Sequence, residues 1–223
     1  MAAPRPSNGL SSLPVRYRPA RRLGQLTIGL AIYAASMAIM VRSTIGLPPW
    51  DVLHDGLTQR LGLSFGQVIA LTGGAVLLAW IPLKQRLGIG TVANVVVIAL
   101  GVDVALAVLP TPENLPVQVA FLVSGVVLNG LATAVYVGAR LGAGPRDGLM
   151  TGLAARTGWS VRLVRSGIEL TVLAIGWLLG GTFGAGTVFY ALAIGPLTQF
   201  FLPMSTVRAE QEQPRTSAVD PQV

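Results

Sequence analysis

The chain is 223 residues long, 52% hydrophobic and only 11% charged, with a mean hydropathy of +0.65. Soluble domains carry about a quarter charged residues, so this composition excludes an ordinary soluble fold and points to a membrane protein. The net charge of +7 does not indicate a nucleic-acid partner, because the basic residues stand in blocks between apolar runs, where they control topology. Cysteine is absent, so neither a disulfide scaffold nor a thiolate metal site is expected.

Residues 1–22 form a Pro- and Ser-rich tail with Arg5, Arg16, Arg18, Arg21 and Arg22, expected to be disordered and cytoplasmic. A membrane helix needs roughly 20 apolar residues, and Leu23–Val41 is a first such run without a charge. A cleaved signal peptide is the alternative for this run, with small residues at Ala34-Ala35-Ser36. The run exceeds the usual apolar length of about 7–15 residues for such a peptide. A short segment from Pro48 to Gly62 follows, with Pro at its start and Gly at its end as helix boundary signals. Trp50, Leu53, Leu57 and Leu61 share one of its faces, while Asp51, Asp55, Thr58 and Gln59 share another. This is an amphipathic helix, either interfacial or re-entrant. Gly66–Leu83 is the second span, and Leu87–Leu109 the third, interrupted only by Asp103. Val117–Ala139 is the fourth, Val161–Leu179 the fifth, with Arg162, Arg165 and Glu169, and Phe183–Leu202 the sixth. A second short helix runs from Pro145 to Gly158, and residues 204–223 form another polar tail.

Residues 23–106 resemble residues 119–202 at a constant offset of 96 without a gap, with about a quarter of the positions identical. Gly46-Leu47-Pro48-Pro49-Trp50-Asp51-Val52-Leu53 returns as Gly142-Ala143-Gly144-Pro145-Arg146-Asp147-Gly148-Leu149. Gly88-Ile89-Gly90-Thr91 returns as Gly184-Ala185-Gly186-Thr187. Each copy holds three spans, an odd number, so the second copy must be inserted upside down relative to the first. The basic residues agree. Thr44, Trp50, Gly66 and Ile69 become Arg140, Arg146, Arg162 and Arg165, while Lys84 and Arg86 become Gly180 and Thr182. Charge has changed ends between the copies, and the alternation of basic and neutral segments places both termini in the cytoplasm. The expected fold is therefore an all-α bundle of six transmembrane helices in a 3+3 inverted repeat. Its halves are 23–110 and 111–203, each with a short helix between its first and second span.

The short helices carry the candidate site. Asp51 and Asp147 are paired acids, each two residues after Pro49 or Pro145. A carboxylate in a first helical turn suits the helix dipole, worth about 0.3–1 kcal/mol, and the same pair could hold a cation or proton. His54 is the only histidine, with Met150 as its counterpart; a surface or hydrogen-bonding role fits it better than metal ligation. Asp103 and Asn94 are polar groups inside the third span. Such residues usually face a bundle interior, and Asn94, like Asn129, is also suited to joining helices. Arg165 and Glu169 can pair one turn apart. The two Gly-x-Gly-Thr segments suit close backbone packing or an anion at a helix N-terminus. Neither follows a strand, so they are no nucleotide fingerprint.

The segments Gly46-x-x-Pro49-Trp50-Asp51-Val52-Leu53-His54-x-Gly56-Leu57, Leu61-Gly62-Leu63-Ser64-x-Gly66 and Gly88-x-Gly90-Thr91-x-x-Asn94 resemble the bacterial YczE/YyaS/YitT family of integral membrane proteins. The match is closest to the YczE branch and covers about residues 23–203. The resemblance implies a multi-pass plasma-membrane protein, without an established activity and without catalytic residues to carry over. A transporter or permease-like protein for a small solute, rocking two halves about a central site, is the leading expectation. Its site would be built from Asp51, Asp147 and Asp103 with Pro49 and Pro145. A non-transporting membrane component that binds a partner protein or a substrate is the alternative, with a membrane protein or a second copy of the chain as its partner. An intramembrane enzyme is not expected, since the HExxH pattern is missing, cysteine is absent and histidine occurs once, and no cofactor or metal is implied.

Overall fold

The structure, a computed structural model, describes residues 16–207, and its regular secondary structure is entirely helical among them. The helices are α1 (Pro19–Ser43), α2 (Pro49–Leu61), α3 (Phe65–Leu83), α4 (Ile89–Val108), α5 (Leu115–Gly138), α6 (Pro145–Thr157), α7 (Val161–Leu178) and α8 (Ala185–Ser205). Five of them, α1, α3, α4, α5 and α8, are long and apolar enough to cross a membrane. The expected fifth span, α7, is outside that group because Arg162, Arg165 and Glu169 interrupt its apolar run. At 13 residues each, α2 and α6 reach about 20 Å, short of the roughly 30 Å hydrocarbon core. Residues 1–15 and 208–223, most of the two expected tails, lie outside the described residues. Within the described part α1 already begins at Pro19 and α8 continues to Ser205.

Local sequence sets the ends of these elements. Proline occupies the first turn of α2 and α6, where its missing N–H costs nothing. Gly62 and Gly158 stop the same helices at φ 67° and 75°, the left-handed conformation glycine adopts without strain. Ser64 accepts from the Gln67 amide at 3.1 Å while the Gln67 side chain returns to the Ser64 amide at 2.9 Å, a reciprocal cap on α3. Ser160 caps α7 through the Leu163 amide at 3.2 Å. Left-handed positions also recur at the offset seen in the sequence. Thr44 and Arg140 share φ near 59° and 55°, and Gly46 and Gly142 share 141° and 137°.

At the centre α1 and α5 lie against each other and run in opposite directions. Arg22 at the start of α1 donates from Nε to the Ala139 carbonyl at 2.8 Å, and from Nη2 to the Arg140 carbonyl at 2.9 Å. Midway, Asn129 Nδ2 donates to Ser36 Oγ at 2.9 Å. Farther along, Gly125 leaves room for Met40. The main core lies between α1, α4 and α5, around Leu30, Met37, Ile98, Val102 and Tyr136, and a smaller one lies around Met40, Val52 and Val126. α4 packs on α1, α8 on α5 and α3 along α4.

The short helices cross between the two halves, with α2 packed on α7 and α6 on α3. Gly176 of α7 admits the α2 backbone at Val52 and Leu53, and Gly148 of α6 admits the Trp80 ring of α3. Positions 52 and 148 correspond, as do 80 and 176. The small residue has thus moved from one partner to the other, and both crossings stay close. Each short helix also ends on its partner: Arg60 Nε donates to the Leu179 carbonyl at 3.1 Å, and Arg156 Nη1 to the Pro82 carbonyl at 2.9 Å. These cations sit on the negative ends of α7 and α3, where the dipole favours them.

Candidate functional site

The N-terminal ends of α2 and α6 converge on a cavity of about 580 Å³ that is lined by residues of every helix. The loop before each short helix is seated on the N-terminus of a long helix of the opposite half. The Gly186 amide donates to the Ile45 carbonyl at 3.3 Å, and the Gly90 amide to the Leu141 carbonyl at 3.1 Å. Thr91 Oγ1 adds a bond to the Ala143 carbonyl at 2.7 Å. A Cβ at Gly46 would meet the Gly184 and Thr187 backbone, and one at Gly142 the Gly88 backbone. Both Gly-x-Gly-Thr segments therefore serve close backbone packing, and the Gly90 and Gly186 amides are committed to protein carbonyls.

The two helix starts touch through corresponding positions. The Arg146 guanidinium lies 4.8 Å from the Trp50 ring centroid, a cation–π distance, and its Nη2 is 3.6 Å from Asp51 Oδ1. Asp51 is 2% exposed and also faces His54 Nδ1 at 3.2 Å. His54 Nε2 is 3.0 Å from Thr72 Oγ1, and the ring stands edge-on to Phe65. A carboxylate only accepts, so Nδ1 carries a proton and donates to Asp51, while Nε2 meets the Thr72 hydroxyl, which also reaches the Val68 carbonyl at 2.9 Å. The result is a buried chain Thr72–His54–Asp51–Arg146 running from α3 through α2 to α6. His54 is thus the hydrogen-bonding histidine its isolation in the sequence favoured.

Asp147 has a different setting. It faces the cavity and is exposed to it, and among the described residues its carboxylate takes one hydrogen bond, from the Tyr136 hydroxyl to Oδ2 at 3.4 Å. Tyr33 and Tyr136 meet edge to face with centroids 6.0 Å apart, and Tyr190 donates to Asn129 Oδ1 at 3.0 Å. All three rings line the cavity. On α7, Arg165 Nε donates to Glu169 Oε1 at 2.9 Å, the pairing expected one turn apart, and both side chains line the cavity wall.

Of the sequence-predicted site residues, Pro49, His54, Asn94, Pro145 and Asp147 line the cavity, and Asp51 lies directly behind it. Asp103 is elsewhere. It accepts from Ser64 Oγ at 2.5 Å and from the Gly66 amide at 2.8 Å, so it tethers α4 to the N-terminus of α3. Asn129 joins α1, α5 and α8, the helix-joining role expected of it. Sequence reasoning missed Tyr33, Tyr136, Tyr190 and the Trp50–Arg146 stack. One signal was available: Tyr33 corresponds to Asn129, and Asn94 to Tyr190, so the same aromatic and amide pair is exchanged between the copies.

The two flanks of the cavity differ. α3 lies along α4, with Gly66 against the Ala99 carbonyl and Gly73 against Val95. α7 scarcely touches α8, and the cavity extends along α8 from Tyr190 to Leu202. The residue types account for this. Arg162 and Gln199 stand where Gly66 and Asp103 stand in the first copy, so the close approach and its tether are both missing.

Residues 20–203 match a family described as "Family of unknown function (DUF6198)". The chain is 41% identical over 181 residues to an uncharacterized protein of Haemophilus influenzae, covering 79% of this chain and 83% of that protein. It is 38% identical over 180 residues to the uncharacterized membrane protein YczE of Bacillus subtilis, covering 79% and 83%. It is 25% identical over 182 residues to the uncharacterized protein YyaS of the same organism, covering 79% and 90%. No solved structure matches the chain. The sequence motifs that resembled the YczE branch and these relatives agree, and with the apolar helices they make this a multi-pass membrane protein of YczE-like kind.

Proposed function

The chain belongs to this family of unknown function (DUF6198), and we propose that it is a transporter that moves a small solute through the central cavity. The observation that carries this reading is the meeting of α2 and α6, start to start, at a shared cavity through Trp50 and Arg146. Helices too short to cross a bilayer, converging at mid-depth on a polar cavity, are the way many transporters build a solute site. An architectural likeness is analogy, so the reading rests on the cavity and its polar groups.

In this reading α7 also crosses the membrane, as the fifth of six spans. Its 18 residues extend about 27 Å, and Arg165 and Glu169 neutralise each other on the cavity side instead of facing lipid. The halves are an inverted repeat with both termini in the cytoplasm. The antiparallel packing of α1 on α5, and the recurrence of left-handed turns at the same offset, support it. The closed α3–α4 flank and the open α7–α8 flank then correspond to opposite faces of the membrane. Transport exchanges them: α7 closes on α8 while α3 parts from α4.

Cysteine is absent from the sequence, so single cysteines are readily followed with impermeant thiol reagents. Ile69→Cys on α3 and Thr198→Cys on α8, both at the cavity, should each react from a different side of the membrane. Flux through proteoliposomes should be lost in Asp51→Asn. Reactivity of both positions from one side only, with no flux and stable co-purification of a membrane partner, would instead establish the accessory role.

A further inference from the structure

We infer that the cavity takes a monovalent organic cation, an amine or quaternary ammonium, seated on Asp147; this rests on the transport reading above and specifies its substrate class. The argument is one of charge balance. The ionised groups at the cavity are Asp51, Arg146, Asp147, Arg165 and Glu169. Arg146 is committed to Asp51 at 3.6 Å and to the Trp50 ring at 4.8 Å. Arg165 is committed to Glu169 at 2.9 Å. Neutral His54 adds no charge. What remains is the Asp147 carboxylate, which has no cation within ion-pairing distance among the described residues and accepts only the long bond from Tyr136. The cavity groups therefore carry one net negative charge, and a ligand bearing one positive charge balances it.

The surroundings favour an organic cation over a small inorganic one. Tyr136 touches Asp147, Tyr33 and Tyr190 line the same cavity, and aromatic faces attract ammonium groups. At about 580 Å³ the cavity falls within the usual range of small-molecule sites, about 300–1,000 Å³. An anion finds no free partner, because both guanidinium groups already face carboxylates.

The test is equilibrium binding of radiolabelled tetramethylammonium and tetraethylammonium to the full chain in lipid nanodiscs. Saturable binding of at least one is expected, weakened at least tenfold by Asp147→Asn, restored by Asp147→Glu and unchanged by Glu113→Gln, a loop residue far from the cavity in sequence. Saturable binding of neither probe to a monodisperse wild-type sample overturns the inference, as does equal binding by Asp147→Asn. Binding without flux into proteoliposomes keeps the cation site and removes the transport reading. Flux of some other solute, with no cation binding, does the reverse.

Discussion

The contact between Trp50, Asp51 and Arg146 concentrates the energetics of the site in three side chains. Asp51 is almost fully buried while Arg146 keeps 29% of its side chain exposed, so Arg146 can leave more cheaply than Asp51 can be left alone. Removing one partner of a buried pair strands a charge, and that penalty exceeds the net worth of the pair. Arg146→Ala and Asp51→Asn should therefore each lower the unfolding midpoint, and the double variant should lose less than their sum, by a coupling of about 0.5–3 kcal/mol. Thermal unfolding of the four proteins in detergent measures it, and strictly additive losses would show that the pair is incidental. The paired Pro-x-Asp signals at 49–51 and 145–147 were legible because prolines and acids at helix starts have a local cause. The arginine-on-tryptophan stack was not, since no local rule says that two helix starts 96 positions apart will touch. Asp103 was read as a site group for the same reason. A mid-span carboxylate reveals that it wants a partner, but not that the partner is the N-terminus of the preceding helix.

At the scale of elements, the difference between the α3–α4 flank and the α7–α8 flank follows from a few substitutions on a repeated frame. Gly66 brings α3 against the Ala99 carbonyl, and Asp103 fixes it there through Ser64 Oγ and the Gly66 amide. Asp103→Ala removes an N-terminal tether of the sort worth about 0.5–2 kcal/mol. Gly66→Val places a Cβ into the Ala99 carbonyl, an overpacking cost of about 1–3 kcal/mol. Both variants should loosen α3 from α4, and a cysteine at Val95, which Gly73 packs against, should react faster with a thiol reagent in either background. Unchanged reactivity would mean that the flank is held by apolar packing instead. The boundaries of α2 and α6 were legible from Pro and Gly at their ends. The cavity was not, because a void is a property of helices that fail to pack, and only Arg162 and Gln199 in place of Gly66 and Asp103 hinted at where.

For the whole molecule, the antiparallel contact of α1 and α5 brings the start of the first span of one copy to the end of the first span of the other, as Arg22 at Ala139 illustrates. If the two copies are inserted oppositely, corresponding loop positions must face opposite compartments. Leu63 and Trp159 provide the comparison. They correspond at the repeat offset, each follows the glycine that ends a short helix, and both are exposed, at 37% and 61%. On the proposed topology the Leu63 loop lies outside and the Trp159 loop, with Arg156 and Arg162 beside it, inside. Leu63→Cys should therefore be labelled by an impermeant maleimide on intact cells, and Trp159→Cys only after permeabilisation. Labelling of both in intact cells, or of neither, would place the copies in parallel, and no exchange of the α3–α4 and α7–α8 flanks could then carry a solute from one side to the other. Opposite labelling would leave Asp51, Arg146 and Asp147 at a point reached from each side in turn, as the chemistry of a shared central site requires.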